Sequence, residues 1–138
     1  MSRVLGLDYG ERRLGFALSD PDGIVAMPFA VVTAETGKAR VREVLRLCRE
    51  TGAARLVVGL PQNMNGTLGP AAQAVLTFVD RLREAADIPV ETWDERLSTR
   101  AAERVLIEAG TSRRKRKRAV DKLAAQIMLQ GYLDARQN

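Results

Sequence analysis

Histidine is absent from this 138-residue chain. Without an imidazole, no Ser-His-Asp or Cys-His catalysis can operate. Acid–base work then falls to carboxylates, lysine, tyrosine or metal-bound water. Cysteine is reduced to Cys48 alone, so no internal disulfide and no Cys/His zinc cluster can form. Cys48 shares a predicted helix face with Val41, Val44 and Leu45 and reads as a small core residue. No apolar run approaches the roughly 18 residues of a membrane span. The N-terminus opens directly on a strand pattern, with no signal peptide. The expectation is a cytoplasmic protein without a membrane partner. Aromatic residues make up only 4% of the chain, which argues against base stacking as the main mode of any nucleic-acid binding.

What is present is a globular composition, 46% hydrophobic, at a length that suits one domain over residues 1–138. Lys and Arg outnumber Asp and Glu by 22 to 17, a net charge of +5. The excess is mostly local: Arg113, Arg114, Lys115, Arg116, Lys117 and Arg118 are consecutive. Such a run marks either a solvated segment or a surface for a polyanion.

Hydrophobic periodicity orders the chain. Residues 3–9 and 14–19 read as strands, and Asp20-Pro21-Asp22-Gly23 is strong turn chemistry before a third strand, Ile24 to Val32. Val41, Val44, Leu45 and Cys48 then lie on one helix face, stopped by Thr51-Gly52. Leu56 to Leu60 is a buried strand ended by Pro61. A polar loop, residues 62–69, leads to Pro70, suited to a first helical turn. Ala71, Val75, Phe78, Val79 and Leu82 give that helix its apolar face. Pro89 to Asp94 is strand five. Ser98 or Thr99 can cap a further helix with Ala102, Val105, Leu106 and Ala109 inward, closed by Gly110. Val120, Leu123, Ala124, Ile127 and Met128 define the last helix. The order β-β-β-α-β-α-β-α-α predicts an α/β fold: a mixed five-stranded sheet, three antiparallel strands followed by βαβα, with helices packed on its faces. Strands one, four and five should be adjacent and parallel.

Ligands of such sheets collect beyond the carboxyl ends of the parallel strands. Asp8 ends strand one and Asp94-Glu95 ends strand five, on the same rim. Asp121 opens the last helix and could close the site from above. Oxygen ligands gathered from distant positions, with no histidine, suit Mg²⁺ or Mn²⁺. Asp121 has a plainer use at a helix N-terminus, where the dipole favours an acid. Asp134 lies too far along its helix, roughly 20 Å, to join the group. Strand alternation does not choose between Glu95, which shares a face with Trp93, and Asp94, which shares one with Val90 and Thr92.

Five segments together resemble the YqgF (RuvX) family: Leu5-Gly6-Leu7-Asp8-Tyr9-Gly10, Arg13 to Asp20, Val58 to Gly66, Asp94 to Thr99 and Val120 to Ala125. They cover nearly the whole chain in order. The resemblance implies a ribonuclease H-like fold related to the RuvC Holliday-junction resolvases. It implies a bacterial cytoplasmic nuclease for 5′-end maturation of pre-16S ribosomal RNA, with activity on branched DNA ascribed to relatives. Carried over by position, Asp8, Glu95 and Asp121 become the catalytic, metal-binding acids, with Asp94 as substitute. The wider superfamily often has an acid at the end of strand four; Leu60-Pro61 stands there in this chain. Arg12, Arg13 and Arg96 flank the rim and could hold a phosphate. Asn63 and Asn65 could contact bases or sugars, and residues 113–118 would grip the phosphate backbone. The competing classes are a noncatalytic RNA-binding assembly factor and a nucleotide phosphotransferase. For the latter the chain is short, and Gly37-Lys38 lacks a phosphate-loop frame. Monomer and homodimer both remain open; a symmetric junction substrate would favour a dimer.

Overall fold

The computed structural model describes residues 2–97, 104, 107–115 and 123–137. The sequence assignments to Ser98, Thr99, Ala102, Val105, Leu106, Arg116, Lys117, Arg118, Val120 and Asp121 fall outside these residues. Strands β1 (Val4–Tyr9), β2 (Leu14–Ser19) and β3 (Ala26–Val32) precede helix α1 (Gly37–Thr51), β4 (Arg55–Leu60), helix α2 (Pro70–Ala85), β5 (Val90–Asp94) and the C-terminal helix α3 (Ala124–Gln137). The sheet order is β3-β2-β1-β4-β5. The first three strands pair antiparallel, whereas β1, β4 and β5 are parallel neighbours, as the turn and crossover pattern predicts. Among the described residues no helix is long and apolar enough to cross a membrane.

The third strand starts at Ala26 rather than Ile24 because Asp20 holds the turn open longer. Its Oδ1 accepts from Ile24 N at 2.7 Å and Val25 N at 2.9 Å, and these two residues stay exposed. Helix α1 is capped by Thr36, whose side chain accepts from Ala39 N, and ends at Gly52 with φ +66°. Its buried positions are Arg40, Val44, Leu47 and Cys48, while Val41 and Leu45 are half-buried. Burial pushes the Cys48 thiol up to about 11. Helix α2 starts at Pro70, as expected, but faces the sheet through Ala72, not Ala71, which is exposed. Ala72 keeps helical phase with Val75, Phe78, Val79 and Leu82. Ala109, expected to face inward, is exposed.

Each face of the sheet carries a core. Leu5, Leu7, Leu14, Phe16, Leu56, Val58, Leu60 and Val90 point toward α1 and α2. The opposite face is built of smaller residues and takes α3 through Ala125, Met128, Leu129, Tyr132 and Leu133. That stripe is rotated from the one expected: Ala124 and Ile127 are only half-buried. The close approach depends on Gly6, where an added Cβ would lie 3.0 Å from Leu129 Cβ. At one end of α3, Gln126 donates to Ala26 O (3.0 Å) and Gln130 accepts from Ala26 N (2.8 Å). At the other, Tyr132 donates to Glu91 and stacks edge-on against Trp93, with centroids 5.7 Å apart. The helix therefore bridges β3 to β5 across the sheet. Leu129 is fully buried at the centre of this contact. Leu129→Ala is expected to cost about 2–5 kcal/mol in urea unfolding, with α3 loosened first in hydrogen exchange.

Candidate active site

Strand alternation sorts the acids by face. Gly6 and Asp8 of β1, Gly15 and Ala17 of β2, Val57 and Gly59 of β4, and Trp93 of β5 share the α3 face. Glu95, just past β5, continues that face. Its side chain folds back over β4 toward β1 and hydrogen-bonds Asp8. Gly59 makes this possible. A Cβ there would overlap the carboxylate, lying 2.8 Å from Glu95 Cγ and 2.9 Å from Cδ. The sequence hint was a glycine inside a buried strand, which often marks a close approach.

Burial, and then the neighbouring charge of Asp8, push the Glu95 carboxyl up to about 7 from an ordinary 4.5. The protonated Glu95 donates to the Asp8 carboxylate; two carboxylates this close do not both ionise without a cation. The Asp94 side chain meets Arg96 instead. Arg96 Nη2 donates to its Oδ2 at 2.7 Å and Arg96 Nε to its Oδ1 at 3.0 Å. The choice that alternation left open is thus resolved in position: Glu95 joins Asp8, while Asp94 is held by an arginine.

Arg96 spends all its donors locally. Nη1 donates to Asn63 O (3.1 Å) and Met64 O (3.2 Å), and Nη2 also reaches Gln62 Oε1 (3.1 Å). In this conformation the guanidinium clamps the 62–66 loop to the end of β5 and offers no further N–H to a phosphate. Asn63 and Asn65 likewise fold that loop: Asn63 Nδ2 donates to Thr67 Oγ1, and Asn65 Oδ1 accepts from Thr67 N and Oγ1. Met64 at its tip is 72% exposed. Arg113, Arg114 and Lys115 are exposed in a helical turn.

A cleft of about 1010 Å³ runs over β3, β2 and β1 and ends at Asp8. Gly15 contributes no side chain to its floor. Arg12 and Arg13, both exposed, line it on one side, and α3 contributes Ala125 and Gln126 on another. The volume sits at the top of the range for small-molecule pockets, as a polymer groove would. The turn carrying the two arginines is anchored by Arg40, a residue the sequence reading passed over. Arg40 is 5% exposed. Its Nε donates to Ala34 O (2.8 Å), Nη1 to Gly10 O (2.7 Å) and Nη2 to Glu11 O, and its guanidinium lies 4.8 Å from the Tyr9 ring centroid. The missed signal was its phase: Arg40 sits four residues before Val44 and eight before Cys48, within the apolar stripe.

Among the described residues, no group of three acidic, histidine or cysteine side chains converges to hold a metal ion. Asp8 and Glu95 supply two, and the third candidate, Asp121, lies outside the described residues. The pair nevertheless fits a hard divalent cation. It is an all-oxygen donor set whose mutual repulsion a cation would relieve.

The fold agrees with the comparisons to known proteins. The fold matches that of Thermus thermophilus RuvC in complex with a Holliday junction substrate, at a TM-score of 0.61 and 18% identity, covering 99% of this chain and 96% of that one. This is the ribonuclease H-like sheet of the resolvases. The model of the RuvX family, described as Holliday junction resolvase, matches residues 2–135, and the chain belongs to that family. Two relatives each bear the name "Putative pre-16S rRNA nuclease". One, from Desulforamulus reducens, is 46% identical over 133 residues, 96% of this chain and 97% of its own. The other, from Symbiobacterium thermophilum, is 48% identical over 134 residues, 97% of this chain and 93% of its own.

The raised Glu95 carboxyl has a sign that can be measured. Because its folded value lies above its ordinary one, its contribution is full below about 4.5 and is lost as pH rises toward about 7. In EDTA, Glu95→Gln should therefore gain in melting temperature relative to the parent across that window. Added Mn²⁺ should raise the parent's melting temperature at neutral pH and leave Glu95→Gln nearly unmoved. A difference between the two proteins that stays flat with pH would separate Glu95 from Asp8.

Proposed function

We propose that this chain is a divalent-metal-dependent nuclease that hydrolyses phosphodiester bonds, acting in 5′-end maturation of pre-16S ribosomal RNA, with branched DNA as a further substrate. The observation that carries this reading is the Asp8–Glu95 pair, whose Asp8 lines a cleft edged by Arg12 and Arg13. Membership of the RuvX family and the names of the relatives support it. A cytoplasmic site of action follows from such a substrate.

Asp8 and Glu95 would hold Mg²⁺ or Mn²⁺, with Asp121 as the third acid on the sequence pattern. Such an ion supplies Lewis acidity toward a phosphoryl oxygen and lowers the pKa of water. The remaining work belongs to the chain's own groups. Glu95 gives up its proton when the site is loaded, which converts a neutral–anionic pair into two anionic ligands. Arg12 and Arg13 bind the phosphate by charge-assisted hydrogen bonds. Arg40 fixes the turn that presents them. Arg96 acts as a positioning residue: by holding Asp94 it keeps that carboxylate off the Asp8 side and ties down the 62–66 loop. The basic run, residues 113–118, tracks the polyanion away from the cut and makes affinity fall with salt.

The test is cleavage of labelled pre-16S RNA and four-way junction DNA side by side, with Mg²⁺ and with Mn²⁺. Losing an outer-shell partner of a metal typically costs 10–100-fold, so removing a direct ligand in Asp8→Asn should cost more than roughly 100-fold. The same change should leave the melting temperature in EDTA intact, because the amide oxygen put in place of the carboxylate still accepts a hydrogen bond from the Glu95 carboxyl. Gly59→Ala alters no acid but displaces Glu95, and should lower cleavage by roughly tenfold or more. Full cleavage by Asp8→Asn would remove the proposed centre.

A further inference from the structure

Phe29 is unused by the site described above, and its placement is unusual. The β2–β3 register runs Phe16↔Ala30 and then Ala17↔Pro28, so Phe29 is the extra residue of a β-bulge, with no partner opposite it. A bulge bends the strand and re-aims the inserted side chain, commonly beside an active site. The chain has six aromatic residues. Phe16, Phe78 and Tyr132 are buried, and Tyr9 and Trp93 are half-buried against ring partners. Phe29 alone is exposed, at 43%. It stands on the wall of the cleft that reaches Asp8, beside the more exposed Val31. Val31 pairs with Gly15, and Gly15 with Asp8, so this wall lies two strand spacings, roughly 10 Å, from the acid.

An aromatic face, a pair of guanidinium groups and the Asp8 carboxylate, bonded to Glu95, in one cleft match the three parts of a nucleotide strand. The arginines take a phosphate, the acids face the bond to be cut, and the ring offers a stacking surface that any base can use. A paired base keeps both of its faces within the duplex stack, and only an unpaired one can lie on Phe29. We infer that Phe29 is a stacking platform for an unpaired nucleobase next to the scissile phosphate, so that the cleft selects single-stranded or locally opened nucleic acid. This rests on the nuclease reading of the cleft. A second copy of the chain is a poorer occupant. Pro28 interrupts the edge strand and has no N–H to give to a neighbouring strand.

The experiment measures binding in the Asp8→Asn chain, where cleavage cannot intervene, by fluorescence anisotropy of a short single-stranded RNA of mixed sequence. Phe29→Ala should weaken binding roughly 5- to 150-fold, the share one stacked base contributes, and Phe29→Trp should retain it. Moving a single abasic nucleotide along the RNA should reveal one sensitive position in the Phe29 chain, and that sensitivity should vanish in Phe29→Ala. Binding by Phe29→Ala within twofold of the parent would overturn the proposal. So would an abasic profile unchanged by the substitution, or a drop in solution mass showing that Phe29 joins two copies. Cleavage by Asp8→Asn tests the nuclease reading separately, since the binding measurement reports on Phe29 whether or not the chain cuts.

Discussion

Two carboxyl groups from strands that do not touch meet across a third strand, and the rest of the site is arranged around that meeting. Asp8 ends β1, Glu95 follows β5, and β4 lies between them. The crossing is open because β4 presents Gly59 to that face. The same face is kept low elsewhere by Gly6, Gly15 and Ala17, which lets α3 lie close to the sheet at one end and leaves a cleft at the other. A surface of small residues thus serves helix packing and site construction together. The opposite face, filled with leucine, valine and phenylalanine, carries the larger core.

Arginines divide into those that build and those that face outward. Arg40 is buried among three backbone carbonyls and a tyrosine ring, and it braces the β1–β2 turn. Arg96 joins the end of β5 to the loop after β4. Both use the planar fork of the guanidinium to gather several acceptors at once, which a lysine ammonium could not do with the same geometry. Arg12 and Arg13, by contrast, form no hydrogen bond or ion pair through their side chains among the described residues, and they line the cleft. Their availability depends on the fixed turn that Arg40 supports.

Much of this was legible in the chain. Turn residues and hydrophobic alternation give the strand order, and the ends of the parallel strands locate the acids. The choice between Asp94 and Glu95 was not legible in strand alternation, and only the family resemblance put Glu95 first. The choice depends on which sheet face α3 covers, and that is decided by contacts such as Leu129 on Gly6, far apart in sequence. The helix stripes came out shifted by a residue, at Ala71 against Ala72 and at Ala124 against Ala125, because two adjacent alanines leave more than one plausible face. Arg40 escaped notice because a cation in a helix usually points to water. Phe29 escaped because a bulge is a property of two paired strands, and the sequence of β3 by itself does not show which residue lacks a partner. Asp121 was proposed from its place in the first turn of the expected last helix and lies outside the described residues.

Cys48 carries a practical consequence. The thiol is packed under α1, and its high pKa leaves almost no thiolate at neutral pH, so maleimide and iodoacetamide reagents should pass it by. With no other sulfhydryl in the sequence, the wild-type background should then label as a cysteine-free one does. Dyes or spin labels can be installed at chosen surface positions, on opposite walls of the groove for example, without first removing a native thiol from the interior.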